Sequence, residues 1–306
     1  MRLAKFSEII MQKALLFMKH QLKKYFRILA GGIIPKVQRV GFERNYGRFF
    51  ASCKKGEGLP KSDCVDTGVI VGGIVPHHYP FTEAFYPTFF YHVGKLRPST
   101  IVILGPDHDG KGKATVTVSN SLWLTPFGTL LPDDFIIESI TKMNWCVIDA
   151  GVHAHEWSVR GLLPYIKLLF PSVRVVPILL RPDTTLESAA TFGRGLSKLL
   201  GVGSLCILSA DFAHGFSAEK TSVVDDRSRA VISRVDIESI KNVNIDTPMG
   251  LVVLFSVLGG VGAMTPIMLD YATSGSLHRQ DPNFFPVYPY LVSYFSYVFV
   301  RDNLRS

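Results

Sequence analysis

Four stretches of this chain are almost continuously apolar: Val69–Val75, Thr100–Leu104, Val173–Leu180 and Ser204–Ala210. A strand with one wet face alternates apolar and polar residues, whereas one covered on both faces does not. Helix-like patterns separate these runs, at Thr82–Lys95, Asp133–Lys142, Val159–Phe170, Thr184–Leu200, Ser222–Val235 and Pro248–Leu258. Thr184-x-x-Glu187 reads as a capping box that opens its helix. Ala114–Val118, Pro266–Tyr271 and Val292–Val300 read as further strands. The alternation predicts an α/β fold with a central mixed, largely parallel sheet and helices on both faces. It occupies residues 67–306, with no internal repeat.

Several of the apolar runs lead straight into a histidine or an aspartate. Val69–Val75 precedes His77-His78, Thr100–Leu104 precedes Asp107-His108, Leu205–Ala210 precedes Asp211-Phe-Ala-His214, and the segment around Ile245 precedes Asp246. Parallel strands deliver their carboxyl ends to one edge of a sheet, so these residues converge in space although distant in sequence. Neutral imidazole suits Fe, Cu or Zn, and a carboxylate adds charge neutralisation. Two His and one carboxylate is the ligand set of mononuclear non-haem iron. His77, His108 and Asp246 are therefore the candidate metal ligands, with Fe(II) the first choice and Cu or Zn the alternatives. Asp211-x-x-His214 supplies a carboxylate to orient a loop and an imidazole to act as general base. His153-Ala-His155-Glu156 is a further polar cluster ahead of a helix, readable as support for the metal or as a solvated loop. Trp123 is a candidate for the pocket wall, and Asn283–Tyr290 reads as core first and as aromatic wall of the pocket second.

The net charge of +8 is uneven. Residues 1–61 hold fourteen Lys/Arg against three Glu, and residues 62–306 hold nineteen against twenty-two Asp/Glu. A slightly acidic body gives no support for nucleic acid as a partner. Residues 5–30 interleave Ile9, Ile10, Phe17, Leu22 and Phe26 with Lys and Arg, ending at Gly31-Gly32. This predicts a basic amphipathic helix, followed by a linker to residue 66. It is a candidate for docking on the body, or for peripheral contact with an anionic membrane or an acidic partner. Ala14–Met18 is too short for a signal-peptide core. Gly250–Leu269 is uncharged and long enough to span a bilayer, but Gly259-Gly260, Gly262 and Pro266 predict a core helix, a turn and a strand instead. Four Cys without a CxxC pair fit a reducing cytoplasm. There is no GxGxxG, Walker loop or GxSxG, so nucleotide binding and serine hydrolysis lack support.

Six ordered motifs resemble the MEMO family, whose microbial members are called AmmeMemoRadiSam system protein B. They are Gly73-Ile-Val-Pro76-His77, Ile103-Leu-Gly105-Pro106-Asp107-His108, Trp123-Leu-Thr125-Pro126-Phe-Gly128, His153-Ala-His155-Glu156-Trp157-Ser158, Ser209-Ala-Asp211-Phe-Ala-His214 and Asp270-Tyr271-Ala-Thr-Ser274-Gly275. That family is similar in fold to the class III extradiol (LigB-like) dioxygenases. The resemblance spans roughly residues 67–300. It puts His77 and His108 on the family's metal-ligand histidines and His214 on the dioxygenase base. The family's Cys ligand has no counterpart; Asp246 stands near its place, with Asn244 the alternative if the alignment slips. Trp157 replaces a family His, and Arg160 stands near an acidic position of many relatives. The resemblance implies redox chemistry of the dioxygenase type and a radical-SAM system partner. A non-catalytic metal- or peptide-binding scaffold and a metal-dependent hydrolase are the other readings of the same cleft.

Overall fold

A computed structural model describes residues 37–40, 68–262, 264–287 and 290–302. The expected basic helix at 5–30 lies outside these residues, as does most of the expected linker. Residues 37–40 are the exception: Val37–Arg39 form a strand, β1, on the edge of the sheet rather than linker.

Past β1 the chain forms β2 (Gly68–Val75), a 3-10 turn at Phe81–Ala84, α1 (Tyr86–Val93), β3 (Thr100–Pro106) and β4 (Val116–Val118). A hairpin of β5 (Leu122–Thr125) and β6 (Gly128–Pro132) follows, then α2 (Asp134–Ile140) and β7 (Cys146–Ile148). Next come α3 (Ala150–His155), α4 (Trp157–Arg160), α5 (Leu163–Leu169), β8 (Arg174–Leu180), α6 (Leu186–Ser197) and β9 (Ser204–Ser209). The last elements are β10 (His214–Phe216), α7 (Ala218–Arg234), α8 (Pro248–Val261), β11 (Met264–Thr273), α9 (Ser274–Gln280) and β12 (Leu291–Asp302).

The sheet runs β1-β5-β6-β8-β3-β9-β2-β12-β10, with β11 on β12, β4 on β8 and β7 on β4. β6, β8, β3, β9 and β2 are mutually parallel, and antiparallel strands flank them. β3 is buried along its whole length and β8 from its second residue, as their apolar sequences require. One face is covered by α2, α6 and α8, through side chains such as Ile137, Phe192 and Leu254. The other is covered by α1 and α5, through Phe89, Phe90 and Ile166.

Several local expectations shift. The helix expected at Val159–Phe170 is two, α4 and α5, parted around Gly161 and restarted with Pro164 in the first turn of α5. Thr185, not Thr184, caps α6 by accepting from the Ser188 N–H; the Thr184 hydroxyl donates to the Arg181 carbonyl instead. Trp123 is fully buried opposite Leu130 in the core and does not reach the cleft. Helix α8 runs through Gly259 and Gly260 before stopping at Gly262, where φ is +111°. The reason is packing on α6: a Cβ at Gly260 would lie 2.5 Å from Ser197 Oγ. No helix among the described residues is long and apolar enough to cross a membrane.

Candidate metal centre

The register of β2 on β9 pairs Val75 with Ser209, so two residues further on His77 and Asp211 stand side by side. The His77 N–H donates to Asp211 Oδ1 at 3.1 Å. Asp246 joins them from the loop before α8. Its N–H donates to the Asp211 carbonyl at 3.0 Å, and its Oδ2 accepts from the Asp211 N–H at 3.0 Å. Thr247, the next residue, caps α8 by accepting from the Gly250 N–H, which fixes where the loop ends. Asn244, the alternative to Asp246, does not belong to the cluster; its N–H donates to Ser228 Oγ.

His108 arrives from β3, whose exit is held by α4. Ser158 Oγ donates to the Pro106 carbonyl at 3.1 Å. Gly105 makes this approach feasible, because a Cβ there would lie 2.6 Å from Ser158 Oγ. Asp107 closes the following loop by accepting from the N–H groups of Lys111 and Gly112.

One ligand atom each from His77, His108 and Asp246 lies within 4.8 Å of the other two. Both imidazoles turn Nε2 toward Asp246 Oδ2, at 3.3 Å for His77 and 3.9 Å for His108. Their Nδ1 atoms are engaged elsewhere. Ser209 Oγ donates to the Ser158 carbonyl at 2.5 Å, so at 3.3 Å from His77 Nδ1 it is left to accept from the ring N–H. His108 Nδ1 lies 3.0 Å from Glu156 Oε1, a carboxylate that only accepts. Assigned from these partners, both rings carry their Nδ1 proton; burial keeps His77 neutral with its Nε2 lone pair toward the cluster, and His108 offers its Nε2 lone pair once a cation displaces its second proton.

With Asp246 ionised and no cation between them, the contact with His77 is unfavourable. The lone pair of His77 Nε2 faces Asp246 Oδ2, and Asp211 Oδ2 lies 3.5 Å away. Burial, and then the neighbouring Asp211, push the Asp246 carboxyl well above the usual carboxylate range. Asp246 Oδ1 is buried with no hydrogen-bond partner. Burial also holds His77 below the ordinary histidine value. The hydrogen bond to Glu156 lifts His108 to about 9 against the opposing effect of burial. Burial raises Glu156, but its bonds from His108 and the Ser158 N–H outweigh this and bring it to about 2. A divalent cation among the three ligand atoms removes the lone-pair conflict and gives Asp246 Oδ1 a partner, so the residues present fit a metal.

Of the cluster, His77 and His108 line a cleft of about 1290 Å³. Tyr79, Trp157 and Tyr290 line it, with Lys111, Lys113 and His155. His214 lines the same cleft from β10, exposed, paired in the sheet with Val292. The Asp211 carboxylate serves the His77 backbone. The polar cluster ahead of α4 divides: Glu156 supports His108, His155 is exposed on the cleft wall, and His153 is buried beside Thr117. Of Asn283–Tyr290, Phe285 is core, packed with Phe81, while Tyr290 is on the cleft.

The sequence model of the Memo-like protein family matches residues 49–283. The chain belongs to this family. A MEMO1 family protein of Ignicoccus hospitalis is 29% identical over 230 residues, covering 71% of this chain and 80% of that protein. One of Nitrosopumilus maritimus is 26% identical over 263 residues, covering 82% and 92%. Within this Memo-like chain, the motifs at Gly73–His77, Ile103–His108 and Ser209–His214 end β2, β3 and β9 at the cleft. The motif at Trp123–Gly128 is a buried hairpin instead. Ser209 and Ser158, which hold the imidazoles in place, went unassigned on sequence although both lie inside motifs; their spacing carries no sign of the contact between them.

Proposed function

We propose that His77 Nε2, His108 Nε2 and Asp246 hold a divalent metal, Fe(II) before Cu or Zn, and that the chain is a redox protein of the dioxygenase type. The observation that carries this reading is the convergence of two Nε2 atoms on one carboxylate while both Nδ1 atoms are tied down. A bound metal would supply Lewis acidity and, as iron, redox chemistry with O₂. The chain's own residues prepare the site. Ser209 and Glu156 fix the imidazole tautomers, so neither ring must turn to bind. Burial of His77 and Asp246 excludes water from the inner side, while the His108 side chain, 47% exposed, leaves the outer side open to substrate. His214, which lines the same cleft, would take a proton from a substrate hydroxyl on a ring nitrogen.

The rival is a non-catalytic binding protein, favoured by Trp157, whose exposed indole is on the cleft where the family motif has His. Metal analysis of protein purified anaerobically and loaded with Fe(II) tests the site. One equivalent is expected, lost in His77→Ala and Asp246→Ala; equal content in the variants would sink the ligand assignment. Oxygen uptake with catechol-like substrates then separates an oxygenase from a scaffold or a hydrolase.

A further inference from the structure

We propose that the cleft binds a small organic cation, an alkylated ammonium group, held by the rings of Tyr79, Trp157 and Tyr290 among buried carboxylates. This names the ligand class of the cleft already described and rests on its being a binding site, not on the identity of the metal.

Three distant segments each bring one large, partly exposed aromatic to this cleft. Tyr79 follows β2, Trp157 opens α4, and Tyr290 precedes β12, at 37%, 45% and 46% exposure. The face of an aromatic ring attracts a cation, most strongly when the ring is an indole, and alkylated ammonium ligands are held in this way. Trp157 already does so on one side, where the Arg160 guanidinium lies 4.8 Å from its ring centroid.

Charge selects the sign of the ligand. Five carboxylates line the cleft, those of Asp107, Asp109, Asp149, Glu156 and Asp211, against two lysines, Lys111 and Lys113. All but Asp109 are buried, whereas both lysine side chains are exposed, so solvent screens the lysines more than the carboxylates. Three of the buried carboxylates are held by backbone N–H groups, which satisfy their oxygens without cancelling a charge. Asp107 accepts from Lys111 and Gly112, Asp149 from Lys113 and Gly151, and Asp211 from His77. Counting His108 as a cation leaves the balance negative. A divalent metal leaves it negative too, because Asp246 offsets one of its charges and His108 gives up a proton. A concave site lined by one sign of charge concentrates ligands of the other.

Full-length protein at about pH 8, where an ordinary imidazole is neutral, is titrated with choline and with neohexyl alcohol, its neutral isostere with carbon in place of nitrogen. Binding is read by calorimetry and tryptophan emission. Choline should bind about tenfold or more tightly than the alcohol, and its affinity should fall with added salt. Trp157→Leu and Tyr290→Leu should each weaken choline about threefold to tenfold while leaving the alcohol nearly unchanged; Trp157→Phe, which keeps a ring, should retain part of the affinity. K111E/K113E should tighten choline. Equal affinity for choline and the alcohol overturns the proposal, as does tighter binding of the anionic analogue tert-butylacetate or no saturable binding of choline. Capture of phosphatidylcholine vesicles or of a trimethyllysine peptide without binding of choline would also overturn it, since the head group would then belong to a lipid or a protein. Titrations with and without Fe(II) keep the two readings apart. Choline selectivity in a protein that takes up no iron supports this proposal and sinks the metal alone; iron uptake without that selectivity sinks this proposal alone.

Discussion

Glu156 grips His108 twice: Oε1 accepts from the ring Nδ1 at 3.0 Å, and Oε2 accepts from the backbone N–H of the same residue at 3.1 Å. Oε1 also accepts from the Ser158 N–H at 2.8 Å, so the carboxylate joins the end of β3 to the start of α4. A neutral amide cannot make this set, because one of its two terminal atoms only donates. Glu156→Gln should therefore lower metal affinity by about 10–100-fold, read by competition with a chelator. Affinity equal to wild type would show that Glu156 does not orient the ligand.

Asp246 and Asp211 place two carboxylates in one buried site, which destabilises the metal-free protein. Asp246→Asn keeps the shape and an acceptor for the Asp211 N–H while removing one charge. The metal-free variant should melt at the wild-type temperature or about 2–4 °C higher, roughly 1 kcal/mol for a domain of this size. Added divalent metal should raise the melting temperature of the wild type only, since stabilisation by a ligand scales with its affinity for the folded state. Equal metal-dependent shifts in the two proteins would remove Asp246 from the ligand set.

How much of this was legible in the sequence depends on how local each cause is. β2, β3, β8 and β9 are written as apolar runs, and β9 lies between β2 and β3, so His77, His108 and Asp211 converge as strand-end residues must. Asp246 was legible only as a strand-end carboxylate; it reaches the cluster from the loop before α8, through its backbone bonds to Asp211. What the sequence hid depends on tertiary partners. Gly259 and Gly260 resemble a helix stop until Ser197 is seen against them. Trp123 resembles a pocket residue until the short strands β5 and β6 enclose it. His153 and Glu156, three residues apart in one motif, face opposite environments, and only the course of α3 decides which supports the metal.

Gly105 offers a steric test of the same architecture. Gly105→Ala places a methyl 2.6 Å from Ser158 Oγ and 3.2 Å from Val159 Cγ2. Helix α4 must shift, and Glu156 shifts with it. Overpacking of this kind costs about 1–3 kcal/mol, measurable by urea unfolding. Gly105→Ala/Ser158→Ala, which removes the clashing hydroxyl, should recover part of that stability; no recovery would mean that the contact with α4 is not the constraint.

His153 gives a pH dependence of known sign. It is 1% exposed, with Nε2 3.4 Å from Thr117 Oγ1 and Nδ1 without a hydrogen-bond partner. Burial lowers its pKa to about 4 from the ordinary 6.5. Between these values the unfolded chain binds a proton that the folded protein refuses, so stability rises with pH across this window. The stabilising contribution is complete above about pH 6.5 and is lost as pH falls toward 4. Each unit of pKa difference corresponds to about 1.4 kcal/mol, so about 2 kcal/mol should disappear between pH 6.5 and 5. Other groups titrate there too, but His153→Leu shares them, and the difference between the two proteins isolates the imidazole. Urea unfolding at pH 7.5 and pH 5 should show the wild type losing about 2 kcal/mol relative to His153→Leu. Parallel losses in both proteins would mean that His153 is already accessible to protons in the folded state.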